Sequence, residues 1–246
     1  MTRPSIWRTL ATECSRLLRD GAALFRLAPW VVALVVVPEF LQHVAEIQIG
    51  MFDSLEQARA LSADPRRMVF GYAKLAGLSL AIIAAVRFWG VRARGETFWR
   101  GRWRPLRAIV AFAAFLLIPL AAEPLRPVMP QVAPVIGLAL SILTLPLVHV
   151  FVAALAGEPD VTLRQAYTAG WRSLVVLLVL LVLAFAPAQA LHMLLHHLAL
   201  GAPRALIWGL MIVDALVVGL LAALVGTAFW RGYAAFFRTD EVATRA

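Results

Sequence analysis

The sequence predicts an all-α, polytopic membrane protein with about six transmembrane helices. Hydrophobic residues make up 62% of its 246 residues and charged residues only 15%, and the mean hydropathy is +0.82. Soluble domains carry about 25% charged residues. The apolar residues also form long blocks, whereas a soluble chain alternates apolar and polar faces. These two observations exclude an ordinary soluble domain.

Six blocks are near the ~20 apolar residues that a helix needs to cross a bilayer core. They lie at 28–49, 69–90, 106–122, 132–156, 173–198 and 205–230. Prolines inside these blocks remove backbone hydrogen bonds and predict kinks; they are Pro38, Pro119, Pro146 and Pro187. We therefore expect a transmembrane domain over residues 28–235 and a cytosolic tail over residues 236–246.

Residues 1–27 are basic and amphipathic. Five arginines are interspersed with apolar residues at helical spacing, among them Leu10, Leu17 and Leu24. This pattern predicts a helix that lies on an anionic leaflet, with a solvated basic tail as the alternative. The basic stretch is too long for a signal peptide, and no small-residue cleavage site follows it. Short cytosolic amphipathic segments are also expected at 93–106 and 155–174.

The distribution of basic residues predicts the orientation in the membrane. With a cytosolic N-terminus, 17 of the 23 Lys and Arg residues fall in cytosolic segments, five fall in outer loops, and Lys74 lies within a span. This bias matches the positive-inside rule. We therefore expect a multi-pass protein of the bacterial inner membrane with both termini in the cytosol.

The stretch 87–107 contains seven arginines and three tryptophans and joins the second and third spans. Arginine pairs with anionic headgroups and tryptophan rests at the membrane interface, so this loop predicts contact with a bilayer containing anionic lipids. Nucleic-acid binding is not predicted, because no reading motif is present. The predicted interface residues, with two from the later loop, are Arg87, Trp89, Arg92, Arg94, Trp99, Arg100, Arg102, Trp103, Arg104, Arg107, Trp171 and Arg172.

Ionisable residues within the spans are the candidate functional residues, because each costs at least about 2.5–3.5 kcal/mol to insert. Glu39, His43 and Glu46 share one helix face, and Lys74 and Asp214 lie in other spans. One interpretation is a pathway for a proton, cation or substrate; the other is a structural polar knot in which Lys74 neutralises a glutamate. His149 is a further candidate, for which an interhelical hydrogen bond is the simpler interpretation.

His192 and His196 lie four residues apart, so they face the same side of the fifth span. Glu123 is the nearest candidate for a third ligand, but no diagnostic metal spacing is present. The sequence therefore predicts an interfacial helix end here and no metal site. Cys14 is the only cysteine, which excludes an intramolecular disulfide. Signature motifs of intramembrane enzymes are missing, so neither a cofactor nor catalysis is predicted.

The segment GEPDVTLRQAYTAGWRSL, which begins at Gly157, leads into the fifth span. With the basic start and six spans, it resembles the bacterial YciC-type inner-membrane proteins and the membrane domain found beside some glycerophosphodiester phosphodiesterases. The resemblance rests on the pattern Thr162-Leu163-x-x-Ala166-x-x-x-x-Trp171. It implies an envelope-associated membrane domain without established catalytic residues.

Three hypotheses for function follow. The first is a non-enzymatic accessory or scaffold factor in envelope or membrane-complex assembly that contacts anionic lipid, with another membrane protein or a second copy as partner. The alternative is a small transporter or lipid-translocating protein that uses the region of Glu39, Lys74 and Asp214. An intramembrane enzyme is the third, and no constellation of residues supports it.

Overall fold

The structure is a computed structural model that describes residues 6–158 and 161–237. Its regular secondary structure within these ranges is entirely helical. The helices are α1 Ile6–Leu27, α2 Pro29–Gln48, α3 Leu55–Ala60, α4 Pro65–Ala93, α5 Pro105–Leu120, α6 Ala133–Thr144, α7 Leu147–Ala156, α8 Leu163–Ala199 and α9 Arg204–Phe237. The predicted tail, 236–246, lies outside the described residues except for its first two positions, which belong to α9.

Five of these helices are long and apolar enough to cross a membrane: α2, α4, α5 with the short 3-10 turn Glu123–Leu125, α8 and α9. The helices α6 and α7 meet at an angle of 40° and make a sixth span if they cross together. The all-α polytopic class with about six spans is therefore confirmed. The predicted span 132–156 is broken because Pro146, which has no backbone N–H to donate, lies at the junction.

The helix α8 begins at Leu163, ten residues before the predicted span. Thr162 Oγ1 accepts a hydrogen bond from the Gln165 N–H at 3.2 Å, and Gln165 Oε1 accepts one from the Thr162 N–H at 2.8 Å. This reciprocal pair is a capping box, which fixes the start of a helix. The amphipathic stretch expected before the span is thus the first part of α8 itself. The other stretch, 94–104, is a turn-rich loop.

The chain divides into two compact units. Unit 1 comprises Met1–Glu13, Val86–Val179 and Phe229–Ala246, and unit 2 comprises Cys14–Ala85 and Leu180–Ala228. The boundaries fall inside α1, α4, α8 and α9, so each of these helices supplies residues to both units.

Unit 2 is held together by close helix contacts at small residues. Leu17, Gly21 and Leu24 form one buried stripe of α1, and Gly21 lies against Leu224 of α9. The helices α2 and α4 meet at Gly77, where a methyl group would overlap the carbonyl oxygen of Leu34. Small residues allow this approach, as is usual between membrane helices.

Candidate functional site

The helix α2 places a row of polar groups on its buried face. Glu39, His43 and Glu46 are all fully buried, and their spacings of four and three residues put them one above the other. Glu39 lies ten residues after Pro29, which is about 15 Å along the helix. That distance is half the ~30 Å thickness of a bilayer core.

His43 contacts three carboxylates from two helices. Its Nδ1 lies 2.9 Å from Glu46 Oε2, and its Nε2 lies 2.9 Å from Asp214 Oδ2 and 3.3 Å from Glu39 Oε1. An ionised carboxylate has no proton to donate, and a neutral imidazole has one N–H. The contacts on both ring nitrogens therefore require either an imidazolium or one protonated carboxyl group.

Two cations and one amide pair with the same carboxylates. Lys74 Nζ lies 3.1 Å from Glu39 Oε2, and Arg67 Nε donates to Glu46 Oε1 at 2.8 Å. Gln42 Nε2 donates to the same Glu46 oxygen at 2.7 Å. Lys74 is thus the counter-ion of Glu39, whereas Arg67, at the start of α4, neutralises Glu46.

Asp214 of α9 connects this row to α8. His192 Nδ1 lies 2.8 Å and His196 Nε2 lies 3.3 Å from Asp214 Oδ2, and Asp214 is fully buried. The pair His192 and His196 therefore faces a carboxylate from its own unit. Glu123, the carboxylate considered from the sequence, instead pairs with Arg126 at 3.0 Å in unit 1.

We call this group of side chains in unit 2 the polar cluster; it consists of Glu39, Gln42, His43, Glu46, Arg67, Lys74, His192, His196 and Asp214. Its three carboxylates face two permanent cations, so the cluster carries one net negative charge when the histidines are neutral. Burying charge is costly unless it is paired and hydrogen-bonded. The cluster therefore favours an additional positive charge, either a proton or a bound cation.

The structure adds two residues that the sequence did not single out. Arg67 was assigned to an outer loop, because the predicted span began at residue 69, yet α4 begins at Pro65. Gln42 is uncharged, so a list of ionisable residues within the spans does not include it, although it lies on the same face of α2. A search for every polar residue on the face that carries Glu39 and Glu46 would have found Gln42.

His149 lies away from the polar cluster, in unit 1. Its Nε2 donates to the carbonyl of Gly170 at 3.1 Å, and its ring packs against Phe237 with centroids 4.9 Å apart. This bond joins α7 to α8 within unit 1. The geometry is that of a structural interhelical hydrogen bond, which was the simpler interpretation.

Arg87 and Trp89 differ from the other predicted interface residues because they are buried. The Arg87 guanidinium donates to the backbone carbonyls of Phe98 at 2.8 Å, Gly101 at 2.8 Å and Arg102 at 3.0 Å. Arg87 therefore holds the loop 96–104 in place, and the expectation that it contacts headgroups is corrected. Its five N–H donors suit a turn whose carbonyls have no helical partners.

The remaining predicted interface residues lie at or near the surface of unit 1. Arg94 is mostly buried and pairs with Glu96 at 3.0 Å and Glu158 at 3.1 Å, and Arg107 donates to the carbonyl of Val161. Arg104 is partly buried. The side chains that are exposed are Arg92, Trp99, Arg100, Arg102, Trp103, Trp171 and Arg172.

Hydrogen bonding in this loop shifts two pKa values. The side-chain bond from Arg94 lowers the pKa of Glu96 below its usual 4.5. Burial acts to lower the pKa of Arg94, but its contacts with Glu96 and Glu158 outweigh burial and raise it. Both ion pairs are therefore formed at neutral pH.

Comparison with known proteins gives no relative for this arrangement. No family model, no curated protein and no solved structure matches the chain.

Proposed function

We propose that this integral membrane protein is a cation transporter and that the polar cluster is its ion-binding site. The observation that carries the proposal is the fully buried set Glu39, Glu46 and Asp214, whose charge two permanent cations do not balance. The proposal assigns the chain no catalytic step.

The position of the cluster within the spans supports transport. Its members come from α2, α4, α8 and α9, which all qualify as spans by length and composition. Ionisable groups at such depth mark ion pathways in many membrane proteins, because their insertion is costly. A purely structural knot can balance its carboxylates with permanent cations alone, whereas the balance in this cluster depends on a proton or another exchangeable cation.

The kink in α2 also supports the proposal. Pro38 lies inside α2, directly before Glu39, and it removes the hydrogen bond to the Leu34 carbonyl. Broken or kinked helices recur at the binding sites of transporters, where they leave backbone oxygens available beside the substrate.

The test is charge movement in liposomes. We would reconstitute the full chain, adsorb the vesicles on a solid-supported membrane, and apply concentration jumps of H⁺, Na⁺, Mg²⁺, Mn²⁺ and Zn²⁺ in turn. We expect at least one cation to produce a current that empty vesicles do not give. The current should be lost in Glu39→Gln and Asp214→Asn.

The matched control is Glu123→Gln, because Glu123 is exposed and pairs only with Arg126 among the described contacts. This variant should keep the full current. Gel filtration and thermal unfolding would establish that all three variants are folded. Absence of current for every cation, or equal currents in the wild type and both cluster variants, would reject the proposal.

A second candidate function is the accessory role in envelope assembly, which agrees with the envelope-associated membrane domain that the resemblance to YciC-type proteins implies. The observation that favours it is the basic, Trp-rich surface of unit 1, where Trp99 is 83% and Trp103 58% exposed. A nearby cleft of about 320 Å³ has Trp89, Arg92, Trp230 and Arg231 in its lining, which suits an anionic lipid headgroup.

Native mass spectrometry of the protein released from its own membrane tests this second role. A stoichiometric anionic lipid or a co-purifying protein, lost in Arg100→Ala with Arg102→Ala but retained in Glu39→Gln, would support it. Loosely held bulk lipid alone, with no protein partner, would reject it.

A further inference from the structure

We infer that the polar cluster binds a divalent first-row transition-metal ion through His192, His196, Asp214 and Glu39. The inference rests on the proposed function in one respect, because the ion would be the cargo. The choice of ligands depends only on distances within unit 2, to which all four residues belong.

The spacing of the candidate ligand atoms fits a tetrahedral site. One nitrogen or oxygen from each of the four residues lies within 4.8 Å of the others. With metal–ligand bonds of about 2.0–2.1 Å, ligand atoms in a tetrahedron are separated by about 3.3 Å. The distances from Asp214 Oδ2 to His192 Nδ1 and His196 Nε2 are 2.8 and 3.3 Å, so these two separations are already close to the tetrahedral value.

One ligand atom is only weakly held in the described structure. His196 Nε2 is buried, and its contact with Asp214 Oδ2 at 3.3 Å falls short of hydrogen-bond geometry. A buried polar atom without a well-aligned partner is destabilising. A bound metal ion would use the lone pair of this nitrogen.

A second layer of residues holds Asp214 in position. His43 contacts Asp214 with one ring nitrogen and Glu46 with the other, and Glu46 is fixed by Arg67 and Gln42. Such outer hydrogen bonds orient the ligands in known metal sites. The other group of candidate metal ligands among the described residues, His43, Glu46 and His196, offers three ligands and not four.

The donor set defines the class of ion. Two imidazoles and two carboxylates suit Zn²⁺, Fe²⁺ or Mn²⁺, whereas Mg²⁺ and Ca²⁺ prefer oxygen ligands alone. The only cysteine of the chain, Cys14, is not among the ligands, so soft ions such as Cu⁺ are disfavoured. Four ligands around one point favour tetrahedral Zn²⁺.

The experiment uses Zn²⁺ and Co²⁺ alone as probes on the purified full chain in nanodiscs. We expect one Zn²⁺ per chain by titration calorimetry and by elemental analysis after gel filtration. We also expect Co²⁺ to give the intense visible absorption of a tetrahedral site, and Zn²⁺ to displace it. This spectrum reports the ligand geometry and does not depend on transport.

The variants His196→Gln, His192→Gln and Asp214→Asn should lose at least tenfold in Zn²⁺ affinity and lose the tetrahedral spectrum. His197→Gln is the matched control, because His197 is the exposed neighbour of His196 and should bind as the wild type does. His196→Gln is the key variant, since His196 makes the longer of the two histidine contacts with Asp214, and thermal unfolding without metal would establish that it is folded. No saturable binding by the wild type, or unchanged binding by His196→Gln, would overturn the inference.

The outcome separates this inference from the proposed function. Stoichiometric Zn²⁺ binding without a current from any of the tested cations would preserve the metal site and reject transport. Current from H⁺ or Na⁺ without any Zn²⁺ binding would preserve transport and reject the metal site.

Discussion

Lys74 is the cation closest to the proposed metal ligands, with its Nζ 3.1 and 3.3 Å from the two oxygens of Glu39. At this distance it competes with a bound ion for the same carboxylate. It also prevents Glu39 from being a buried, uncompensated charge, which would be strongly destabilising. Removing Lys74 should therefore have two opposite effects. It should destabilise the metal-free cluster, and it should strengthen the binding of a metal ion to Glu39.

The variant Lys74→Met should therefore lower the Tm in the absence of metal and raise Zn²⁺ affinity by about tenfold, or about 1.4 kcal/mol. Free Zn²⁺ at about 100 times the Kd should return about 2.7 kcal/mol of stability. Thermal unfolding with and without Zn²⁺ measures both effects.

Arg66→Met provides the control for Lys74→Met, because exposed Arg66 pairs with Asp64, which lies outside the cluster. A decrease in Zn²⁺ affinity on removing Lys74 would contradict the competition.

Glu96 gives a pH-dependent contribution in the loop of unit 1. Because the bond from Arg94 lowers its pKa in the folded chain, the stabilisation is present above pH ~4.5 and is lost as the pH falls through the lowered value. The Tm difference between the wild type and Glu96→Gln should therefore be positive at pH 7 and shrink as the pH falls below the usual 4.5 and through the lowered pKa. A difference that is constant across this range would contradict the pairing.

The arginines of the loop 87–107 illustrate a distinction that sequence patterns cannot make. The seven arginines of 87–107 look equivalent, yet Arg87 is buried while Arg100 and Arg102 are exposed. Only the fold of the loop, which turns its carbonyls towards one guanidinium, separates them. By contrast, the shared face of Glu39 and Glu46 followed directly from helical spacing, because both lie within one helix.

The contact between α2 and α4 lies next to the polar cluster, and both helices supply members of it. Pro38 frees the Leu34 carbonyl, and Gly77 of α4 lies directly against that oxygen. The same contact brings Lys74, one turn from Gly77, beside Glu39. Cα–H···O contacts of this kind are common between helices. Because Gly77 has no side chain, the two helices approach closely enough for Lys74 to pair with Glu39.

Gly77→Ala should force α2 and α4 apart, because the added methyl group meets backbone that cannot rotate away. We expect a loss of about 1–3 kcal/mol in stability and weaker Zn²⁺ binding. Gly209→Ala is the control, since nothing lies within 4 Å of that position in α9, and it should be neutral or slightly stabilising. Equal Tm values for the two variants would show that the contact is not tight.

Hydropathy predicted the number and core of the spans well but not their ends. The first span was expected at 28–49 and α2 covers Pro29–Gln48, whereas α8 starts ten residues before its apolar block. Hydropathy measures only the part that matches the lipid core, and α8 continues beyond it through polar turns fixed by the capping box. The break at Pro146 was foreseeable as a kink, but its angle depends on packing.

At the scale of the whole chain, chemical roles are divided between the two units. The polar cluster belongs entirely to unit 2, and the basic, Trp-rich loop belongs to unit 1. The sequence alone shows the ionisable residues within the spans and the Arg- and Trp-rich loop, because each group is concentrated in short stretches. It did not reveal which charges pair, since the contacts of Asp214 with His43 and His192 join residues that are 171 and 22 positions apart.

The threading of the chain through the membrane is the last prediction. Cys14 is the only native cysteine, so a Cys14→Ser background allows single cysteines at exposed positions in loops and at the start of α8. With six spans and a cytosolic N-terminus, Thr97→Cys and Arg164→Cys should react with an impermeant maleimide only in inverted vesicles. Ser62→Cys and Gln131→Cys should react only in intact spheroplasts.

The pair Gln131→Cys and Arg164→Cys decides whether α6 and α7 cross together. The two helices contain 12 and 10 residues, so neither alone spans a core that needs about 20. Reaction of both cysteines from the same side would mean that the bent pair returns to its starting face, leaving five spans and a C-terminus on the outer side. That result would place the basic start of α8 outside, against the charge bias. Labelling of the two cysteines from opposite sides would instead establish six spans. Six spans would explain why 17 of the 23 basic residues lie on one side of the membrane.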